Sequence, residues 1–176
     1  MRRHPYPASA HPGRHDQCGF TLLEVLMALL VLSIGLLGLA ALQTVGLKFT
    51  HESYQRTQAV IQAYDMLDRI RANPGGRTAT GYNNVSLGSI PSLSGINCTG
   101  GTGCSPSQLA TFDVSTWNTT NASLLKQGQG AVCLGNFSGS SPNVLTACTA
   151  GGSIYRVGVT WIENDIPITA IVEAQL

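Results

Sequence analysis

The chain has little charge: only 11% of its 176 residues are charged, and the formal net charge is +1. Three of its ten basic residues, Arg2, Arg3 and Arg14, lie in the first nineteen positions with one of its nine acids, Asp16. The remaining seven basic and eight acidic residues nearly balance. The chain after residue 19 is thus nearly neutral and lacks the basic surface by which proteins bind nucleic acids, so we expect no nucleic-acid partner.

Motifs that carry catalysis are also missing. The sequence has no glycine-rich phosphate loop, no HExxH and no GxSxG. Three of the four histidines lie before residue 16, and the fourth, His51, is interpreted as a surface residue. Asp113, Glu163 and Asp165 are interpreted as solvated or turn residues. We therefore predict no enzyme, no cofactor and no catalytic residue.

Proline is absent between Phe20 and Asn73, and the 23 residues from Val25 to Leu47 carry no charge. An α-helix needs about 20 apolar residues to cross a bilayer. A secretory signal peptide has a shorter apolar region, roughly 7–15 residues, and no convincing A-x-A-like cleavage site follows this one. The segment therefore predicts a single-span anchor, and the basic residues before it place the N-terminus in the cytoplasm.

Glu24 is the exception in this apolar segment. An acid at the centre of a span costs roughly 2.5–3.5 kcal/mol on insertion scales. A position at a helix N-terminus near the membrane surface would reduce that cost. The alternative is a specific cationic partner, because a carboxylate in an apolar bundle is stable only when it is paired.

The residues around Glu24 resemble the processing site of type IV prepilins and pseudopilins. They are Gly19-Phe20-Thr21-Leu22-Leu23-Glu24-Val25-Leu26. The resemblance implies that a membrane prepilin peptidase/methyltransferase cuts between Gly19 and Phe20 and that Phe20 is N-methylated. It also implies that Glu24 meets the new amine of a neighbouring subunit during assembly. Lipidation of Cys18 is not expected, because this cysteine precedes the apolar run instead of following it. After the predicted cut, Cys18 would be removed with the leader.

The helix is predicted to continue as an amphipathic segment and to end at Asn73-Pro74-Gly75-Gly76. Its apolar stripe is Val60, Ala63, Tyr64, Leu67 and Ile70. Residues 30–40 and 63–74 resemble the type IV pilus modification proteins of the PilV family, which are minor pilins. Major pilins commonly have a proline where this chain has Ala41, which favours a minor subunit.

The last hundred residues are predicted to form a small polar head. Ser105-Pro106-Ser107-Gln108 has the pattern of a helix N-terminus, and Leu109, Phe112 and Trp117 would share one face of a helix that ends early, at 118–121. Strands are predicted over 130–137, 155–161 and 168–174, the last two joined by a turn at 163–165. Trp117 and Trp161 are expected in the core. The fold class is thus α+β and pilin-like, with a long helix on a small antiparallel sheet.

Four cysteines lie in this head: Cys98, Cys104, Cys133 and Cys148. An even number suggests two disulfides and an oxidising compartment. Four cysteines allow three pairings, and short separation favours Cys98–Cys104 with Cys133–Cys148. The spacings C-x5-C and C-x14-C lack the close pairs usual in zinc sites, so no metal is expected.

The chain is therefore divided into a cleaved cytoplasmic leader (1–19), a transmembrane and filament-core helix (20–42), its amphipathic continuation (43–73) and a disulfide-bonded head (74–176). The resemblance implies a minor type IV pilin in the inner membrane, with a periplasmic head, that later enters the pilus. Implied partners are major and minor pilins, the prepilin peptidase, the assembly platform and membrane lipid. The alternatives are a type II secretion pseudopilin and a membrane-tethered periplasmic binding protein.

Overall fold

A computed structural model describes residues 19–78, 81–101, 103–138, 145 and 147–176, so the predicted leader falls outside it except for Gly19. The element order is α1 (Leu22–Ala72), α2 (Pro74–Thr78), α3 (Pro106–Leu124), β1 (Gln129–Ser138), β2 (Ala147–Glu163) and β3 (Ile166–Gln175). The chain divides into two units, residues 1–46 and 47–176.

The described part of the first unit is the start of α1. The Thr21 hydroxyl accepts a hydrogen bond from the Glu24 N–H at 3.2 Å, so Thr21 is the N-cap. The side chains of residues 22–46 are all exposed. A window of this helix has a mean hydropathy of 2.7 and is long and apolar enough to cross a membrane. So large an exposed apolar surface is typical of a membrane or protein contact.

Helix α1 ends at Ala72, as the sequence predicts, but a second short helix follows it at once. The Asn73 side-chain oxygen accepts from the Gly76 N–H at 3.0 Å, which caps α2. Pro74 takes the first helical position, where its missing N–H costs nothing. Helical structure therefore continues to Thr78, past the helix end predicted at residues 73–76.

The buried stripe of α1 differs from the predicted one. Val60 and Tyr64, two members of the predicted stripe, are 40% and 51% exposed and do not face the core. The buried positions are Ala59, Ala63, Met66, Leu67 and Ile70. These also recur at helical spacing, on a face turned slightly from the predicted one.

The sheet is three-stranded and antiparallel, in the order β1-β2-β3, with one further bridge between Val85 and Val132 of β1. Asn164 and Asp165 have φ of 51° and 62° and form the two-residue turn between β2 and β3. The predicted hairpin is confirmed. Its alternating residues are buried against α1 and α3: Tyr155, Val157, Val159 and Trp161.

Helix α3 begins with the predicted capping box at Ser105 but continues to Leu124, so the early end was wrong. Asn118 is buried, donates to the Ser89 carbonyl at 2.8 Å and accepts from the Gly130 N–H at 2.7 Å. Asparagine disfavours an isolated helix because its side-chain amide competes for backbone hydrogen bonds. Here the amide is satisfied by these tertiary hydrogen bonds instead. Trp117 is in the core, whereas Leu109 and Phe112 are half-buried. The α+β architecture of a long helix on a small antiparallel sheet is confirmed.

Candidate processing and assembly site

The predicted cleavage bond lies just before α1. Gly19 and Phe20 are exposed and non-helical, and Phe20 is 83% exposed. A side chain added at Gly19 would meet no other atom within 4 Å. A protease requires accessible backbone outside regular structure, which this bond provides. The glycine is therefore not required by packing within the described residues.

Glu24 lies in the first turn of α1, and its side chain is exposed. None of the ion pairs among the described residues involves it. Together with Thr21 it forms a T-x-x-E sequence, the pattern of a capping box, which our reading of the sequence missed. The Thr21 half of that box is present, so the carboxylate lies where exposed N–H groups favour an acid.

In the head, a bidentate ion pair joins α1 to the end of β2. Arg56 Nε and Nη2 donate to the two Glu163 carboxylate oxygens at 3.2 and 2.9 Å. This pair raises the pKa of Arg56 and lowers the pKa of Glu163. Asn164 donates to Glu52 at 2.9 Å beside it. Glu163 is only 8% exposed, so it is not solvated, although it flanks the β2–β3 turn as expected. Asp165 is exposed and lies in that turn, as expected.

A second polar cluster joins the end of α1 to α3. Arg69 contacts Asp65 at 2.8 Å and Asp113 at 3.2 Å. The Tyr82 hydroxyl donates to Asp113 at 2.5 Å and accepts from Asn73 at 3.0 Å. Burial, and then the bond to Asp113, raise the pKa of Tyr82. Asp113 is 6% exposed, so it too is not the solvated residue that was predicted.

The cysteines form two disulfides in the structure, Cys98–Cys104 and Cys133–Cys148. The first closes a loop just before α3. The second joins β1 to β2 across the register shift at residues 134–135, because Cys133 precedes the shift and Cys148 pairs with Phe137 after it. Because all four sulfurs are bonded in pairs, none is available as a thiolate ligand. Among the described residues, no group of three or more His, Cys, Asp or Glu side chains could hold a metal ion.

The two tryptophans are core residues, as predicted, at 0% and 1% exposure. Trp117 Nε1 donates to the Gln62 carbonyl at 2.8 Å, which fixes α3 against α1. His51 is exposed on α1, as predicted. None of these residues forms a catalytic arrangement, and the head contributes packing and polar contacts.

Comparison with known protein families gives two matches. The pattern described as a prokaryotic N-terminal methylation motif matches residues 14–40, which include the predicted cleavage bond and Glu24. The family described as type IV pilin Tt1218 matches residues 41–115, from the second half of the apolar run into α3. No curated protein and no solved structure matches the chain.

Proposed function

We propose that this chain, which matches a prepilin methylation motif and a type IV pilin family model, is a minor type IV pilin of the PilV kind that takes part in assembling or modifying a pilus. In this proposal prepilin peptidase cuts between Gly19 and Phe20 and Phe20 is N-methylated. The anchor then holds the subunit in the inner membrane, with its head in the periplasm, until the assembly platform transfers it to the filament.

One observation supports this proposal above the others: Glu24 is the only charge between Phe20 and Leu47, and it is the fifth residue after an accessible Gly19–Phe20 bond. Cleavage would create an amine at Phe20, a cation that an apolar bundle otherwise lacks. A carboxylate removed from water needs such a partner. Pairing between neighbouring subunits would fix the axial position of one helix against the next.

Mass spectrometry of the mature protein, expressed with prepilin peptidase, tests the processing step. We expect an N-terminus at Phe20 carrying one added methyl group. Gly19→Ala should leave the full-length precursor in the membrane. Gly35→Ala is the matched control, because a side chain there also meets no other atom within 4 Å. A mature protein that begins at another residue would overturn the proposal.

Deletion of the gene, scored separately for surface pili and for protein secretion, tests the role. Loss of pili with normal secretion supports a minor pilin. Lost secretion with normal pili would instead favour the pseudopilin. The segment 63–74, which resembles the PilV family, supports the first outcome.

A further inference from the structure

A cleft of about 250 Å³ lies in the head between α1 and the β2–β3 turn. Its lining brings together both lysines of the whole sequence, Lys48 and Lys126, and the only histidine after residue 15, His51. The rest of the lining includes Glu52 and Glu163. The chain's two lysines therefore lie at one cleft.

Both lysine side chains are more than half exposed. Lys48 Nζ lies 3.9 Å from Glu52, and Lys126 Nζ lies 3.2 Å from the exposed Asp165. The Glu163 carboxylate, in contrast, is held by Arg56 through two bonds, and Glu52 also accepts from Asn164. Exposed ion pairs are weak and exchange readily with other partners. The lysines can therefore turn to an incoming anion while the two glutamates stay in place.

The cleft begins where the uncharged segment ends. Lys48 is the first charged residue after the 23 residues from Val25 to Leu47, and His51 and Glu52 lie within the next four positions. Twenty-three helical residues rise about 35 Å, slightly more than the hydrocarbon core of a bilayer. A lysine at that point would extend its side chain into the interface, at the level of the lipid phosphates.

We propose that this cleft binds the headgroup of a phosphatidylethanolamine-type lipid, with its phosphate at Lys48 and Lys126 and its ammonium at the neighbouring carboxylates. Among the residues that line the cleft, the cations Lys48 and Lys126 are balanced by the carboxylates of Glu52 and Glu163. A free anion gains little from so balanced a site, whereas a headgroup with both charges is complementary to it. The volume suits a small headgroup and not a larger ligand.

This proposal depends on membrane anchoring and not on a role in the pilus. The full-length chain is inserted into nanodiscs with equal amounts of phosphatidylethanolamine and phosphatidylglycerol, and native mass spectrometry identifies the lipids that remain bound after release. We expect one retained phosphatidylethanolamine. The Lys48→Gln/Lys126→Gln double variant should reduce its retention about tenfold, since two exposed ion pairs with the lipid phosphate are lost.

The matched control is Arg71→Gln/Arg77→Gln, which removes the same charge at the other end of the head and should retain the lipid. Thermal unfolding of each variant in detergent without phospholipid separates lost binding from lost folding. Equal retention of both lipids, preference for phosphatidylglycerol, or unchanged retention in the lysine variant would each overturn the proposal. Soluble phosphoethanolamine that stabilises the chain as strongly as the lipid would also contradict a lipid occupant.

Discussion

The two units of this chain are stabilised by different surroundings. In residues 22–46 every side chain is exposed, although most are apolar, so the helix depends on a membrane or on other subunits. In the head, apolar side chains are buried within the chain itself, in a core formed by α1, α3 and the sheet. Substitutions in the first unit should therefore affect assembly, and substitutions in the second should affect folding.

The largest effect should come from the first unit. Glu24→Val should leave membrane insertion and head stability unchanged, because the carboxylate has no ion-pair partner among the described residues and valine suits an apolar span. Incorporation into filaments should be lost, since the amine at Phe20 would have no partner. Membrane fractionation and immunoblotting of sheared pili measure the two steps.

Glu173→Gln is the control for a lost carboxylate, since Glu173 lies on β3 far along the chain and pairs with Arg156. It should enter filaments normally. A Glu24→Val subunit that is incorporated as well as the wild type would remove the basis for an amine–carboxylate contact.

Trp117→Ala should have the largest effect on the head. Its side chain is fully buried, it donates to the Gln62 carbonyl, and its ring lies against Gly130. Truncating a buried aromatic residue costs about 3–5 kcal/mol. Denaturant unfolding monitored by circular dichroism should show this loss. Leu36→Ala, on the exposed part of α1, should leave the head transition unchanged; a comparable loss there would break the distinction between the units.

Removing the Cys133–Cys148 disulfide should be next in size. A cross-link across 15 residues contributes about 3 kcal/mol in the chain-entropy model. The Cys133→Ala/Cys148→Ala variant should unfold at lower denaturant concentration. The Cys98→Ala/Cys104→Ala pair, with a separation of six residues, should lose less. The reverse order would show that residual structure, and not loop length, determines the effect.

The long helix and the hairpin could be predicted from their patterns, because hydropathy and alternation are local signals, whereas α2 and the full lengths of α3 and β2 were not predicted. The side chains whose environment was wrongly predicted have hydrogen-bond partners far along the chain. Asp113 is held by Arg69, 44 residues earlier, and Glu163 by Arg56, 107 residues earlier. Asn118 stays helical because Gly130 and Ser89 satisfy its amide. No spacing rule reaches such distances, whereas the T-x-x-E cap at Thr21 was available in the sequence.

Tyr82 should make the head sensitive to alkali. Its pKa is raised in the folded state, so its contribution to stability is full below the ordinary tyrosine pKa of 10 and is lost as the pH rises above it. Tyr82→Phe should cost about 1 kcal/mol at neutral pH, through the lost bond to Asp113, and should flatten the decline above pH 10. Tyr155, whose pKa burial also raises, would supply the remaining slope. Tyr64→Phe, at an exposed position, should change neither quantity.

The smallest effect should come from the Arg56–Glu163 pair, and it should appear in acid. Because Arg56 lowers the pKa of Glu163, this contribution to stability is present above the ordinary value of 4.5 and is lost as the pH falls through the lower folded value. Arg56→Gln should therefore weaken the head at pH 7 and make its decline below pH 4.5 shallower. Arg71→Gln, which breaks an exposed pair with Asp68, should leave the acid slope unchanged. If Arg56→Gln has the same acid slope as the wild type, Glu163 is not the carboxylate that links stability of the head to pH.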